Sequence, residues 1–255
     1  EASREASGRR HGGVGGGVRE ASGRRQGRRR GGVGEARFRD RGCDSLGALR
    51  WSPSLAPRHR FVFVAQGTAT VDDLTLTREN AAYGSGKMVI SAGPEGAELW
   101  RWELVRVSDQ PLLAQGDGVR SRHIVTREID TIGLGARDKW LFRCDGIEMA
   151  RDGLAPLHVH AGPGLRCMIE GAMTVNDSGT IEEHREGDWW YETNVQPIVA
   201  RSTGATGTRF IRVMIAAPEF EGFRTTQFVG PAEQRQDQAK GRGRWVQYVD
   251  KVITL

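Results

Sequence analysis

HVHAGPGLRCMIEG, residues His158 to Gly171, and GDWWYE, residues Gly187 to Glu192, are the stretches whose reading decides the fold. His158 and His160 are separated by one residue inside the short run LHVH. In an extended strand alternate side chains share a face, so both imidazoles project the same way. Two imidazoles so placed can hold one divalent metal, with further ligands from neighbouring strands: a carboxylate or a third His for Fe, Mn, Ni or Zn. An isolated H-x-H is weak evidence, and in an arbitrary β protein packing is the commoner role. Its setting adds weight. Ala161-Gly162-Pro163-Gly164 reads as a turn, a strand runs on to Gly171, a hairpin is expected near Asn176 to Gly179, and Gly187-Asp188 opens an aromatic strand.

Working outward, the same texture covers the chain from Phe61. FVFV (Phe61 to Val64), KMVISA (Lys87 to Ala92), ELWRWELVRV (Glu98 to Val107), RHIVTREI (Arg122 to Ile129) and KWLFRC (Lys139 to Cys144) precede the pair. PIVAR (Pro197 to Arg201), RFIRVMI (Arg209 to Ile215) and WVQYVDKV (Trp245 to Val252) follow it. Short β-rich runs broken by Gly, Asp and Pro predict an all-β sandwich or barrel. Within Glu98 to Val107, Trp100, Trp102 and Leu104 alternate with charges, which predicts a strand wet on its charged side. Arg209 to Ile215 is apolar enough to predict a central strand. Helical periodicity is confined to Pro231 to Lys240.

Charge is unevenly placed. The net charge is +5, yet the first 60 residues hold 15 Arg, no Lys and 6 acidic residues, so the rest of the chain is mildly acidic. REASGRR at Arg4 to Arg10 recurs at Arg19 to Arg25, each copy followed by GGV. Glycine-rich sequence without large apolar side chains cannot offset the entropy of ordering, so residues 1–58 are expected to be a disordered tail. An inert tail or upstream translation is favoured for it. An Arg/Gly arm touching nucleic acid through phosphates is the alternative, and no aromatic residue is interleaved before Phe38. No apolar run approaches the ~18 residues of a membrane span, no secretory pattern is expected, and Cys43, Cys144 and Cys167 lack metal-type or disulfide-framework spacing. A reducing cytoplasm is the simplest location.

The two opening stretches, in that order and spacing, resemble the cupin superfamily, whose first motif is H-x-H, a turn, a Glu, six residues and a Gly, and whose second opens with Gly-Asp. In particular they look like single-domain bacterial cupins with H-x-H-x-G-P-G-[IL]-R-C and G-D-x-W-[FY]-E, and the resemblance extends loosely over residues 97–255. The resemblance implies a double-stranded β-helix, or jelly-roll, barrel at 136–220, with an N-terminal β extension at 59–135 and a C-terminal extension at 221–255. It also implies a homodimer. The ligand pattern departs from the family's: Gly164 stands where the metal-binding Glu would be, Ile198 falls near the last His, and Thr193 and Val195 replace a Pro and a Gly. The resemblance therefore implies a divalent metal, Fe, Mn, Ni or Zn, held by His158, His160 and Glu192, with a degenerate ligand set.

If Arg166 and Glu192 point inward, Glu192 serves as third ligand or general base and Arg166 holds a substrate carboxylate; an internal Arg166–Glu192 ion pair is the structural alternative. Two functions follow. One is a metal-dependent dioxygenase or isomerase acting on a small acid, and the other is a non-catalytic cupin module binding a small ligand. A sensor reading DNA would need a helix-turn-helix, and none is found. His184, in a charge run, is expected to be solvated, and Cys167 to face away from the cavity. Trp189, Trp190 and Tyr191 are candidates to line a pocket, with one face of their strand packing the core.

Overall fold

The computed structural model describes residues 36–46, 54–55, 57–106, 108–110, 112–129, 134–135, 137–229 and 243–254. These form two antiparallel sheets. The first contains β1 (Ala36–Leu46), β2 (Ser54–Leu55), β3 (His59–Val71), β4 (Leu74–Thr77), β5 (Ala81–Gly84), β6 (Met88–Arg106), β7 (Val119–Arg122) and β8 (Thr126–Glu128), in the order β4-β3-β6-β1-β7. The second contains β9 (Lys139–Met149), β10 (Leu154–His160), β11 (Gly164–Asp177), β12 (Thr180–Arg185), β13 (Trp189–Glu192), β14 (Ile198–Ser202), β15 (Thr208–Ala216), β16 (Thr226–Phe228) and β17 (Arg244–Thr254), in the order β16-β10-β14-β11-β15-β9-β17. The fold is all-β, and its antiparallel sheets are curled.

The curl has a local cause in β11. Its first half, Gly164 to Cys167, is bonded to β13 and β15, and its second half, Met173 to Asp177, to β12 and β14. Between the halves the register slips between Met168 and Glu170, and Gly171 has φ +82, a left-handed conformation that glycine adopts without strain. A Cβ there would lie 2.1 Å from the Gly207 carbonyl oxygen. One strand thus belongs to two walls, and the space between them is a cavity. The expected hairpin forms at Asn176–Gly179, where the Gly179 amide donates to Asn176 Oδ1 at 2.9 Å.

Alternation sorts the second sheet's side chains. Trp140, Phe142 and Cys144 of β9, Leu165 and Cys167 of β11, and Ile211, Val213 and Ile215 of β15 meet Phe61, Phe63, Trp100, Trp102 and Leu104 of the first sheet in one core. Aromatic contacts tie the sheets together, Phe61 to Phe142 at 4.3 Å and Phe63 to Tyr248 at 5.6 Å between ring centroids. Each such side chain contributes about 2–3 kcal/mol of apolar burial. Cys167 faces this core, as expected. The alternate positions, Arg143, Asp145 and Ile147 of β9, Arg166 of β11, and Phe210 and Arg212 of β15, point the other way.

Two expectations need correction. The charged side of β6 is not wet: Arg101 is 2% exposed and Glu103 3%, and Glu103 receives Arg58, Arg60 and Arg101 at 3.1, 3.1 and 3.3 Å. Strand alternation separates faces but does not say which of them water reaches. Second, residues 36–46, inside the stretch read as a tail, form β1, which pairs with β6, β7 and β8. The expected C-terminal extension carries the final strand, β17, which pairs along β9, and β16, which pairs with β10. The helical periodicity at Pro231 to Lys240 lies outside the described residues. Among the described residues no helix is long and apolar enough to cross a membrane.

Candidate functional site

A cavity of about 120 Å³ lies between the two walls of the second sheet. Ile147, Met149, Met173, Ile198, Phe210 and Phe228 give it apolar sides, and His158, His160, Arg166, Glu192 and Arg212 form a polar end. Arg224, solvent-exposed, also lines it. The sequence-predicted residues are therefore brought together, and each arrives by strand geometry. His158 and His160 are the alternate positions of β10 and share its inner face, with ring centroids 4.9 Å apart at 83°. Gly164 of β11 pairs with Glu192 of β13, so Arg166, two residues on, stands diagonally across from that carboxylate.

Every polar group but one is engaged by the protein. His158 Nδ1 donates to the Pro156 carbonyl at 2.7 Å, which leaves Nε2 without a protein partner among the described residues. His160 is held at both nitrogens: Arg212 Nη1 donates to Nδ1 at 3.2 Å, so the proton resides on Nε2, which lies 2.9 Å from Glu192 Oε2. Arg166 Nη2 reaches the same oxygen at 2.7 Å. Neither Arg166 Nη2 nor Glu192 Oε2 makes a well-directed hydrogen bond despite this approach, so the contact is one of charge. Glu192 Oε1 accepts from Trp190 Nε1 at 2.7 Å, and Arg166 Nη1 donates to the Gly164 and Glu192 carbonyls. The ion pair set against the carboxylate-holding role of Arg166 is thus present.

Behind Arg212 stands a second buried pair. Arg212 Nε and Nη2 donate to the two oxygens of Asp145 at 2.9 and 2.6 Å, and Trp245 Nε1 of β17 donates to Asp145 Oδ2 at 2.7 Å. Trp245, Asp145, Arg212 and His160 form one continuous relay that fixes the imidazole's tautomer.

Burial decides the electrostatics. Desolvation pushes the His160 pKa down to about 3, against the pull of Glu192, and lowers that of His158 too, so both rings are neutral at pH 7. For Glu192 burial acts upward, but the Arg166 guanidinium and the close approach of His160 Nε2 outweigh it and hold the carboxyl well below its ordinary range. Burial lowers Arg166 to about 10, still charged at pH 7. Arg212 is raised, because Asp145 more than offsets burial.

The remaining aromatic and histidine expectations divide. Trp189 and Tyr191 pack against the inter-sheet core, while Trp190 faces the other way and orients Glu192. His184 is not solvated. It is 7% exposed and stacks on Trp190 at 4.4 Å and 10°, because β12 folds back over β11 and lays the ring on the indole. Sequence reasoning missed Arg212, Asp145, Trp245 and Arg224. A signal existed for the first: a lone Arg inside the otherwise apolar run Phe210 to Ile215 is buried wherever that run is central, and a buried cation requires a partner.

No family model matches the chain, and no curated protein matches it. Solved structures do. Salicylate 1,2-dioxygenase from Pseudaminobacter salicylatoxidans aligns over 73% of this chain and 75% of its own, at 14% identity and TM-score 0.46. Its adduct with gentisate aligns over 78% and 70%, at 14% identity and TM-score 0.43. AerE from Microcystis aeruginosa aligns over 72% and 88%, at 9% identity and TM-score 0.44. At these values the likeness is one of chain path, and the chemistry of the site is derived from its own residues.

As arranged, these residues do not fit a divalent metal. A ligating imidazole must present a lone pair, and His160 Nε2 carries a proton while Nδ1 accepts from Arg212. The Glu192 oxygen facing the pair already meets a guanidinium. A side chain at Gly164 has no room, since its Cβ would lie 2.5 Å from the Val213 oxygen and 2.6 Å from Met214 Cβ. Ile198 pairs with His158 across β14 and β10 and presents an apolar surface where a further ligand would stand. Among the described residues no group of three or more His, Cys, Asp or Glu has metal-binding geometry.

Proposed function

We propose that the chain binds a small organic acid in the cavity of its second sheet. What carries this reading is the cavity's division into apolar sides and one polar end, the general form of a small-molecule site. The apolar body lies against Met149, Met173, Phe210 and Phe228. A hydroxyl or amide of the ligand donates to His158 Nε2, the imidazole nitrogen the protein leaves open. Arg224 contributes the cation that draws the acid group to the cavity. His158, neutral at pH 7, is also the residue placed to take a proton from such a donor, so proton transfer on the bound acid is compatible with the site. A homodimer through exposed strand edges belongs to the same proposal.

The test is a thermal-shift and calorimetric panel of small carboxylic acids against wild type, His158→Phe and Arg224→Gln. An acid at about 100 times its Kd stabilises the fold by about 2.7 kcal/mol, a readable rise in Tm. His158→Phe keeps the ring and loses the acceptor, so affinity drops at least tenfold. If no acid raises the Tm, or if both variants bind as wild type does, the reading is lost.

A metal-dependent dioxygenase or isomerase acting on a small acid is the second reading, favoured by the convergence of His158, His160 and Glu192. It requires His160 and Glu192 to exchange their guanidinium partners for a cation. Elemental analysis of wild type beside His158→Ala/His160→Ala separates the two: stoichiometric Fe, Mn, Ni or Zn that disappears in the double variant supports the second.

A further inference from the structure

We infer that the guanidinium groups of Arg166 and Arg212 take the place of a divalent cation at the polar end of the cavity, so that the site is closed to metal and opens to it when both are removed. The two cations engage the very groups a metal would use. Arg166 Nη2 lies 2.7 Å from Glu192 Oε2, and Arg212 Nη1 donates to His160 Nδ1 at 3.2 Å. Arg212 acts on the far nitrogen of that ring, yet it determines the near one: with Nδ1 accepting, Nε2 must keep its proton and faces Glu192 as a donor.

Charge counting gives the second support. Arg166 is matched by Glu192 and Arg212 by Asp145, all four residues being less than a tenth exposed. The buried end is therefore neutral as built. A divalent ion added to it leaves two uncompensated positive charges away from water, with a guanidinium within contact distance of its carboxylate ligand. The shape of the end agrees: Gly164 cannot carry a further ligand, and Ile198 is apolar. A protein cation attached to the backbone differs from a metal in permanence. It cannot be removed by a chelator, it does not exchange ligands, and it leaves His158 Nε2 as the open position. This inference does not depend on which small molecule the cavity takes.

Equilibrium dialysis of the full chain against Zn(II), Co(II), Ni(II), Mn(II) and Fe(II), each metal alone, followed by elemental analysis, tests it. Wild type is expected to retain well under one equivalent of each. Arg166→Met/Arg212→Met, which removes both charges but keeps much of the stems, is expected to bind one equivalent at least roughly a hundredfold more tightly, with a cobalt absorption band abolished by His158→Ala in the same background. Arg166→Lys keeps the charge and is expected to behave as wild type. One equivalent of metal in wild type, lost in His158→Ala, overturns the inference, as does a folded Arg166→Met/Arg212→Met that binds no more tightly than wild type. If that double variant does not fold, the wild-type measurement decides by itself. None of these outcomes bears on whether wild type binds an organic acid, so the two proposals fail separately.

Discussion

Each sheet carries a cluster of buried charge, and the two clusters are built differently. In the first sheet one carboxylate, Glu103, serves three arginines, Arg58, Arg60 and Arg101, and Arg101 also donates to the Leu112 carbonyl. In the second, each of two arginines has its own carboxylate, and a neutral histidine joins the pairs. The first sheet's cluster is a knot that holds β3 and β6 to the segment after them. The second lines a cavity, and the imidazole beside it keeps an open nitrogen. Buried charge alone therefore does not mark a functional site. An adjoining cavity and one incompletely engaged group distinguish the second cluster from the first.

The largest expected effects break the clusters. Glu103→Gln leaves three guanidiniums around a neutral amide and should cost about 3–5 kcal/mol, close to total stability for many domains. Urea denaturation would show this as a large drop in midpoint. Asp145→Asn should cost somewhat less, about 3 kcal/mol, because only Arg212 loses its charge partner, and should in addition weaken ligand binding by freeing His160. If Glu103→Gln weakened ligand binding in the folded protein as much as Asp145→Asn did, the distinction between a structural knot and a site would fail.

Acid comes next. The ordinary His pKa is 6.5 and that of folded His160 about 3, so between those values the unfolded chain takes up a proton that the folded chain refuses. Stability is complete above about pH 6.5 and declines below it by about 1.4 kcal/mol per pH unit for each such group. Glu192, held low, adds loss in the same direction below its ordinary value of 4.5. Tm measured from pH 8 to pH 4 should fall on the acid side, with a shallower slope in His160→Gln. A flat profile would contradict the buried neutral ring.

The smallest effect separates orientation from binding. Trp245→Phe removes one hydrogen bond to Asp145 and keeps the ring, at a cost of about 1 kcal/mol. Acid affinity, measured by calorimetry, should fall severalfold if the relay from β17 to His160 matters, and stay unchanged if it does not.

Much of this was legible along the chain. The strand runs, the Asn176–Gly179 hairpin and the shared face of His158 and His160 follow from alternation and turn chemistry, which are local. That Arg166 and Glu192 could meet was also legible, because motif order placed them on neighbouring strands. The buried state of Arg101, Glu103 and His184 was not, since a charge run has the same pattern whether water or another strand covers it. Nor was strand β1, whose Arg-rich sequence reads as tail until β6 supplies its partner.

What sequence alone determined is the all-β class and the projection of two imidazoles to one side of a strand, because both depend only on the two-residue repeat of an extended backbone. Tertiary structure decided the rest. Arg212 and Asp145 join the site from strands distant in sequence, Trp245 completes it from the last strand, and Gly164 is denied a side chain by β15 lying against it. The protonation of His160, and with it the identity of the buried cation, depends on atoms brought within about 3 Å across the sheet, a distance that spacing along the chain does not encode.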